Sequence, residues 1–163
     1  MVEILQDALF AAIAAIGFAA ISRPPRRAYL WCAALAAAGH SLRYILLRPE
    51  LYGALHIVPS TLAAAFVVGF LAVLISRVTR MPAETFLFPS LLPMIPGIYA
   101  YKAFGAMAMC VFSGEQAASF GHFFYLMMSN SFTCLCVLLA MVVGGTVPIF
   151  LLRRIAFQAT RHC

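Results

Sequence analysis

Charge is what this chain has least of. Asp, Glu, Lys and Arg make up 10% of its 163 residues, and the mean hydropathy is +0.99. A soluble domain carries about 25% charged residues. The composition therefore excludes a sizeable soluble domain and implies an integral membrane protein. The net charge of +6 is no nucleic-acid signal. The basic residues fall in short clusters between apolar runs, where a positive-inside bias puts them. C-x-x-C is missing, and Cys134 and Cys136 stand two apart, on different faces of a helix. The cysteines read as small core residues rather than a redox or metal site. Also missing are H-E-x-x-H, G-x-S-x-G and a phosphate loop. The histidines are dispersed without ligand spacing, so no metal or cofactor is expected and an enzyme has no support. The N-terminal Met1-Val-Glu-Ile-Leu-Gln-Asp7 lacks the basic region of a cleaved signal peptide.

What the chain does have is long apolar runs. The pattern predicts an all-α integral membrane protein forming a single membrane domain over 1–163. Five spans are expected, at about residues 4–21, 28–47, 57–75, 83–112 and 119–152. Ala11, Ala15 and Ala19 in the first, Ala33, Ala34, Ala37 and Ala38 in the second, and Ala65-x-x-x-Gly69 in the third are small-residue faces that allow close helix approach. The fifth carries a polar knot at Ser129-Asn130-Ser131 with Thr133, and a bend is expected from Gly144-Gly145 to Pro148. In this arrangement Arg23, Arg26, Arg27, Arg77, Arg80, Arg153, Arg154 and Arg161 share one side, and only Arg48 lies in a loop on the other. The positive-inside rule then places the N-terminus outside and the C-terminus in the cytoplasm.

The fourth run is the most unusual. Pro89, Pro93, Pro96 and Gly97 fall within nine positions of an otherwise apolar stretch. Each proline removes a backbone donor and clashes with the preceding turn. Irregular backbone at membrane depth survives only where protein covers it or where it lines a cavity. The sequence thus predicts a span broken at Pro93–Gly97. A helix restarting after Gly97 would present its N-terminal amides and positive dipole end to the break, a geometry suited to a carboxylate. The plainer reading is a proline-kinked packing helix without a ligand.

Ionisable groups inside spans cost about 2.5–3.5 kcal/mol on insertion scales and usually face a cavity or a partner. The candidates are Asp7, His40, Arg43 and Lys102. Asp7 and Arg43 each lie about one turn from the outer end of antiparallel spans, so they are expected to pair, with His40 beside them. Such a group can couple transport to protons, since histidine changes charge near neutral pH; equally, it can be a static pair that fixes helix register. Lys102 can neutralise a bound carboxylate or snorkel to headgroups. Tyr101 shares a helix face with Gly97 and Gly105, and can donate into a cavity or anchor at the interface. Asn130, Ser131 and Thr133 can bind substrate or serve as interhelical glue. His56 and His122 read as interfacial.

These residues resemble the small, YjjB-type subunit of the split form of the bacterial threonine/serine exporter family. The resemblance is carried by Gln6-Asp7, Pro25-Arg26-Arg27-Ala28 leading into Trp31-Cys32, and Gly39-His40-x-x-Arg43. It continues through Pro93-Met-x-Pro96-Gly97-Ile-x-Ala100-Tyr101, Asn130-x-x-Thr133 and Pro148. It implies a five-span inner-membrane subunit acting with a larger YjjP-type partner. It also implies export of succinate by the split form, or of threonine and serine by the fused form. Lys102 is outside the motif. Five spans are also half of a machine built from two inverted repeats, and no second copy lies in this chain, so a homo-oligomer is the other way to complete it. The competing reading is a scaffold or assembly subunit whose partner holds the whole transport path.

Overall fold

A computed structural model describes residues 2–48, 55–112 and 117–152. The described chain is helical throughout: α1 is Val2–Ser22, α2 Arg26–Leu47, α3 Ile57–Thr79, α4 Glu84–Leu91, α5 Gly97–Phe112 and α6 Ala117–Leu151. A single 3-10 turn, Leu92–Met94, continues α4. Four of these helices, α1, α2, α3 and α6, are long and apolar enough to cross a membrane. A fifth span is reached if Glu84–Met94 and Gly97–Phe112, a bent pair, count as one. The expected all-α architecture with a broken fourth run is therefore what the chain adopts. Phe10 and Ile13 of α1, Phe66 and Phe70 of α3 and Phe150 of α6 are exposed, as a surface solvated by lipid requires.

The helix ends follow local chemistry. The His56 ring accepts from the Val58 amide at the start of α3. α1 is followed by Arg23 (φ 47°) and α3 ends on Arg80 (φ 54°), both left-handed. That conformation usually goes to glycine, but a cation there also complements the negative end of the helix dipole. α6 is helical without interruption through Gly144, Gly145 and Pro148.

The chain forms two compact units. The first contains Met1–Met94 and Ala140–Cys163. In it α2 packs on α1, α3 and α4, and α1 also touches α4 and the 3-10 turn. Ala11, Ala15 and Ala19 bury their face of α1, with Ala11 and Ala15 clustered against Ala36 of α2. The buried face of α2 is Ala28, Cys32, Leu35, Ala36 and Gly39. Ala34 and Ala38, expected to form that face, are exposed. Alanine on every side of this helix leaves its orientation to its neighbours. α3 and the end of α6 meet through glycine: a Cβ on Gly69 would strike the backbone of Gly145, and one on Gly144 would lie 2.6 Å from the Leu62 carbonyl oxygen. Without a hydrophobic force between helices in lipid, such van der Waals contact between backbones is the main source of packing energy.

The second unit, Ile95–Leu139, is a hairpin of α5 and the first part of α6. Ala103 and Ala106 are its buried positions on α5.

Candidate functional site

Proline chemistry sets up the break. Pro89 sits inside α4 without ending it. Its missing N–H would have served the Thr85 carbonyl, and the Cys32 thiol lies 3.6 Å from that oxygen as the replacement donor. The Ser90 hydroxyl is fully buried and has two acceptors in reach, the Phe86 carbonyl at 2.7 Å and the Cys32 carbonyl at 3.0 Å. Two side chains that would otherwise be inert core thus tie α4 to α2. Pro93 is accommodated in the 3-10 turn, and the helix ends at Ile95 and Pro96. It resumes with Tyr99 and Ala100 donating to the Pro96 carbonyl at 3.1 and 3.2 Å. The Gly97 amide, expected to face an anion, donates instead to the Ile95 carbonyl at 2.8 Å.

A helix that stops leaves carbonyls without donors. The Met94 carbonyl takes Arg43 Nη1 at 2.8 Å, a charged donor from α2. Arg43 is brought there by Gly39 one turn earlier. A Cβ at Gly39 would lie 2.5 Å from Val68 Cγ2 and 2.6 Å from Met94 Cε, so only glycine lets α2 come this close to α3 and the 3-10 turn. The spacing Gly39-His40-x-x-Arg43 therefore has a physical content: close approach first, then two polar side chains delivered along one stripe.

His40 is the second of these. Its Nδ1 lies 3.0 Å from Asp7 Oδ2, with the His40 side chain 11% exposed and that of Asp7 35%. Asp7 thus pairs with His40, and Arg43, expected as its partner, goes to the backbone one turn further along α2. Nε2 of His40 is buried with no hydrogen-bond partner among the described residues. Nearer the start of α1 Glu3 accepts from the Tyr44 hydroxyl at 2.7 Å and also pairs with Arg48, whose guanidinium lies 4.8 Å from the Tyr44 ring centre. Two carboxylates and two guanidiniums balance here. Sequence spacing puts Glu3 and Asp7 on one face of α1 but does not join Glu3 to Tyr44 and Arg48, since Arg48 lies just past the end of α2 in extended backbone.

The remaining candidates lie in the second unit. Tyr101 and Asn130 line one open groove of about 520 Å³, together with Lys102. Asn130 Nδ2 donates to the Leu126 carbonyl at 2.6 Å, and the Thr133 hydroxyl to the Ser129 carbonyl at 2.9 Å. Both thus bond within their own helix. Ser131 faces a separate, mostly apolar groove of about 450 Å³. The first unit holds the Asp7–His40 pair and the Arg43 cation at the end of the 3-10 turn, and the second an apolar groove with a single ammonium. Among the described residues neither has a nucleophile placed beside a base.

The family described as Threonine/Serine exporter, ThrE, matches residues 7–151. An uncharacterized protein of Haemophilus influenzae is 37% identical over 148 residues, which is 91% of this chain and 47% of that protein. The chain thus spans about half the length of this curated relative. No solved structure matches it. With the match running through the Asp7–His40–Arg43 cluster, the broken helix and α6, the chain belongs to the threonine/serine exporter family.

Proposed function

We propose that this chain is one half of a two-component secondary exporter of small carboxylates or amino acids, working with a larger YjjP-type membrane partner. On this reading it sits in the bacterial inner membrane, N-terminus outside and C-terminus in the cytoplasm. It moves its cargo without chemical change. The observation that carries the proposal is the break at Ile95–Pro96, with its last carbonyl held by Arg43 beside the Asp7–His40 pair. Broken helices next to ionisable groups are how many transporters build a midplane site. The family supports export, and a relative twice as long supports a chain that supplies half of the working unit.

The test is efflux from cells preloaded with labelled succinate or threonine, expressing this chain alone, with its partner, or neither. Efflux only with both chains is the expected result. Efflux from this chain alone would replace the partner by a homo-oligomer, and no efflux of either compound would sink the exporter reading.

Within this proposal Asp7 and His40 couple transport to protons. Export by the native chain is expected to depend on pH, and Asp7→Asn to flatten that dependence. An unchanged profile in Asp7→Asn would leave the pair a static link between α1 and α2.

Gly97 separates transport from scaffolding. A Cβ there meets nothing within 4 Å, so Gly97→Ala is expected to leave the chain and its complex intact while lowering export through the stiffened restart of α5. Loss of the complex, read by co-purification of the two chains, would favour a scaffold whose partner holds the path.

A further inference from the structure

Lysine occurs once in this chain, at position 102; the ten other residues among the eleven Lys and Arg are arginines. Lys102 is also the only charged side chain among the described residues of the second unit, since Glu115 lies outside them. No described residue gives it a hydrogen bond or an ion pair. It stands ten residues before Phe112, the end of α5, or roughly 15 Å at 1.5 Å per residue. On the five-span reading, with Phe112 at the end of the span, that is about half the ~30 Å hydrocarbon core. A cation at such a depth faces a partner or a cavity. Lys102 faces the groove of about 520 Å³ that it shares with Tyr101, Met109, Phe123 and Asn130.

We infer that this groove is a subsite for the carboxylate of a small organic anion, with Lys102 as its counter-charge. The Tyr101 hydroxyl and the Asn130 amide are the neighbouring polar groups, and apolar walls take the carbon chain. Among the described residues the lining contains no carboxylate, so the ammonium of a zwitterionic amino acid has no counter-charge from them there. The groove therefore takes one carboxylate of a small organic anion in preference to zwitterionic threonine or serine, and leaves any second carboxylate to its open side. That this anion is cargo rests on the exporter reading; that Lys102 binds it does not.

The single lysine makes the test direct. Membranes from cells expressing the chain at its own locus are treated with a membrane-permeant amine reagent, and labelling of the Lys102 peptide is followed by mass spectrometry. Succinate at about ten times its Kd leaves roughly a tenth of the sites free, so labelling is expected to slow roughly tenfold. Labelling of lysines in other membrane proteins of the same sample serves as the unprotected control. Threonine at the same concentration is expected to leave Lys102 labelling unchanged. The inference is overturned if succinate gives no protection, if threonine or chloride protects equally, or if Lys102 is not labelled even without anion. Protection in membranes that export no succinate would keep the subsite and remove the exporter reading. Succinate export without protection would do the reverse.

Discussion

Gly69→Ala is expected to destabilise the first unit by about 1–3 kcal/mol, the usual cost of forcing a methyl group into a packed interface. The obstacle is backbone rather than a flexible side chain. The added Cβ would fall on the Gly145 carbonyl, with the Gly145 Cα 3.2 Å away, so α3 and α6 must separate to admit it. Separation forfeits the contacts that hold helices together in lipid. Gly144→Ala meets the Leu62 carbonyl oxygen at 2.6 Å and is expected to cost a similar amount. Gly145→Ala meets the Leu91 side chain at 2.8 Å, which can turn aside, and should cost less. Gly17 and Gly105 have nothing within 4 Å of an added Cβ. Alanine there is expected to be neutral or stabilising by up to about 1 kcal/mol through helix propensity. Thermal unfolding midpoints in detergent would rank the five variants, and equal midpoints for Gly69→Ala and Gly105→Ala would show that the glycine contact does not hold α3 to α6.

Arg43→Met is expected to have the largest effect on export, at least tenfold. The substitution keeps much of the side-chain volume but leaves the Met94 carbonyl without its donor at the point where the helix stops. A hydrogen bond from a charged group contributes about 1.5–3 kcal/mol, and each 1.4 kcal/mol is a factor of ten in an equilibrium. The same loss should appear as lowered thermal stability, which keeps the prediction independent of the cargo. Arg48→Met is the comparison. Its partner Glu3 is 65% exposed at the side chain, and exposed pairs contribute about 0–1 kcal/mol. If the two variants export equally and melt together, Arg43 does not hold the break. Arg43→Lys keeps the charge with a different reach and donor geometry and should fall between them.

Much of this molecule was legible in its residues because the properties concerned are local. Hydropathy belongs to a run of side chains whatever packs on it, so the spans could be read directly. Proline lacks an N–H in any surroundings, so an interruption near Pro96 followed from sequence. Ala11, Ala15 and Ala19 announced their own face because their spacing of four puts small residues one above another along the helix. The polar stripe of His40 and Arg43 was also legible, since their spacing alone puts them on one side of a helix.

Which partner each of these residues has was not legible. Asp7 has the charge to pair with Arg43, but the slide and rotation of α2 against α1 decide the matter, and they bring His40 to it instead. Arg43 is free for Met94 only because Gly39 lets α2 come within contact of the 3-10 turn. The orientation of α2 itself could not be read, since alanines on all sides give no preferred face and its neighbours choose Cys32, Leu35 and Ala36. Gly69 and Gly105 are the same residue in similarly apolar helices, yet one touches backbone and the other nothing. The sequence determined that this is a membrane-spanning helical chain with a broken helix and a few ionisable groups at depth, because hydropathy and backbone valence act residue by residue. Tertiary structure alone decided which of those groups meet, because a contact depends on the mutual placement of two helices.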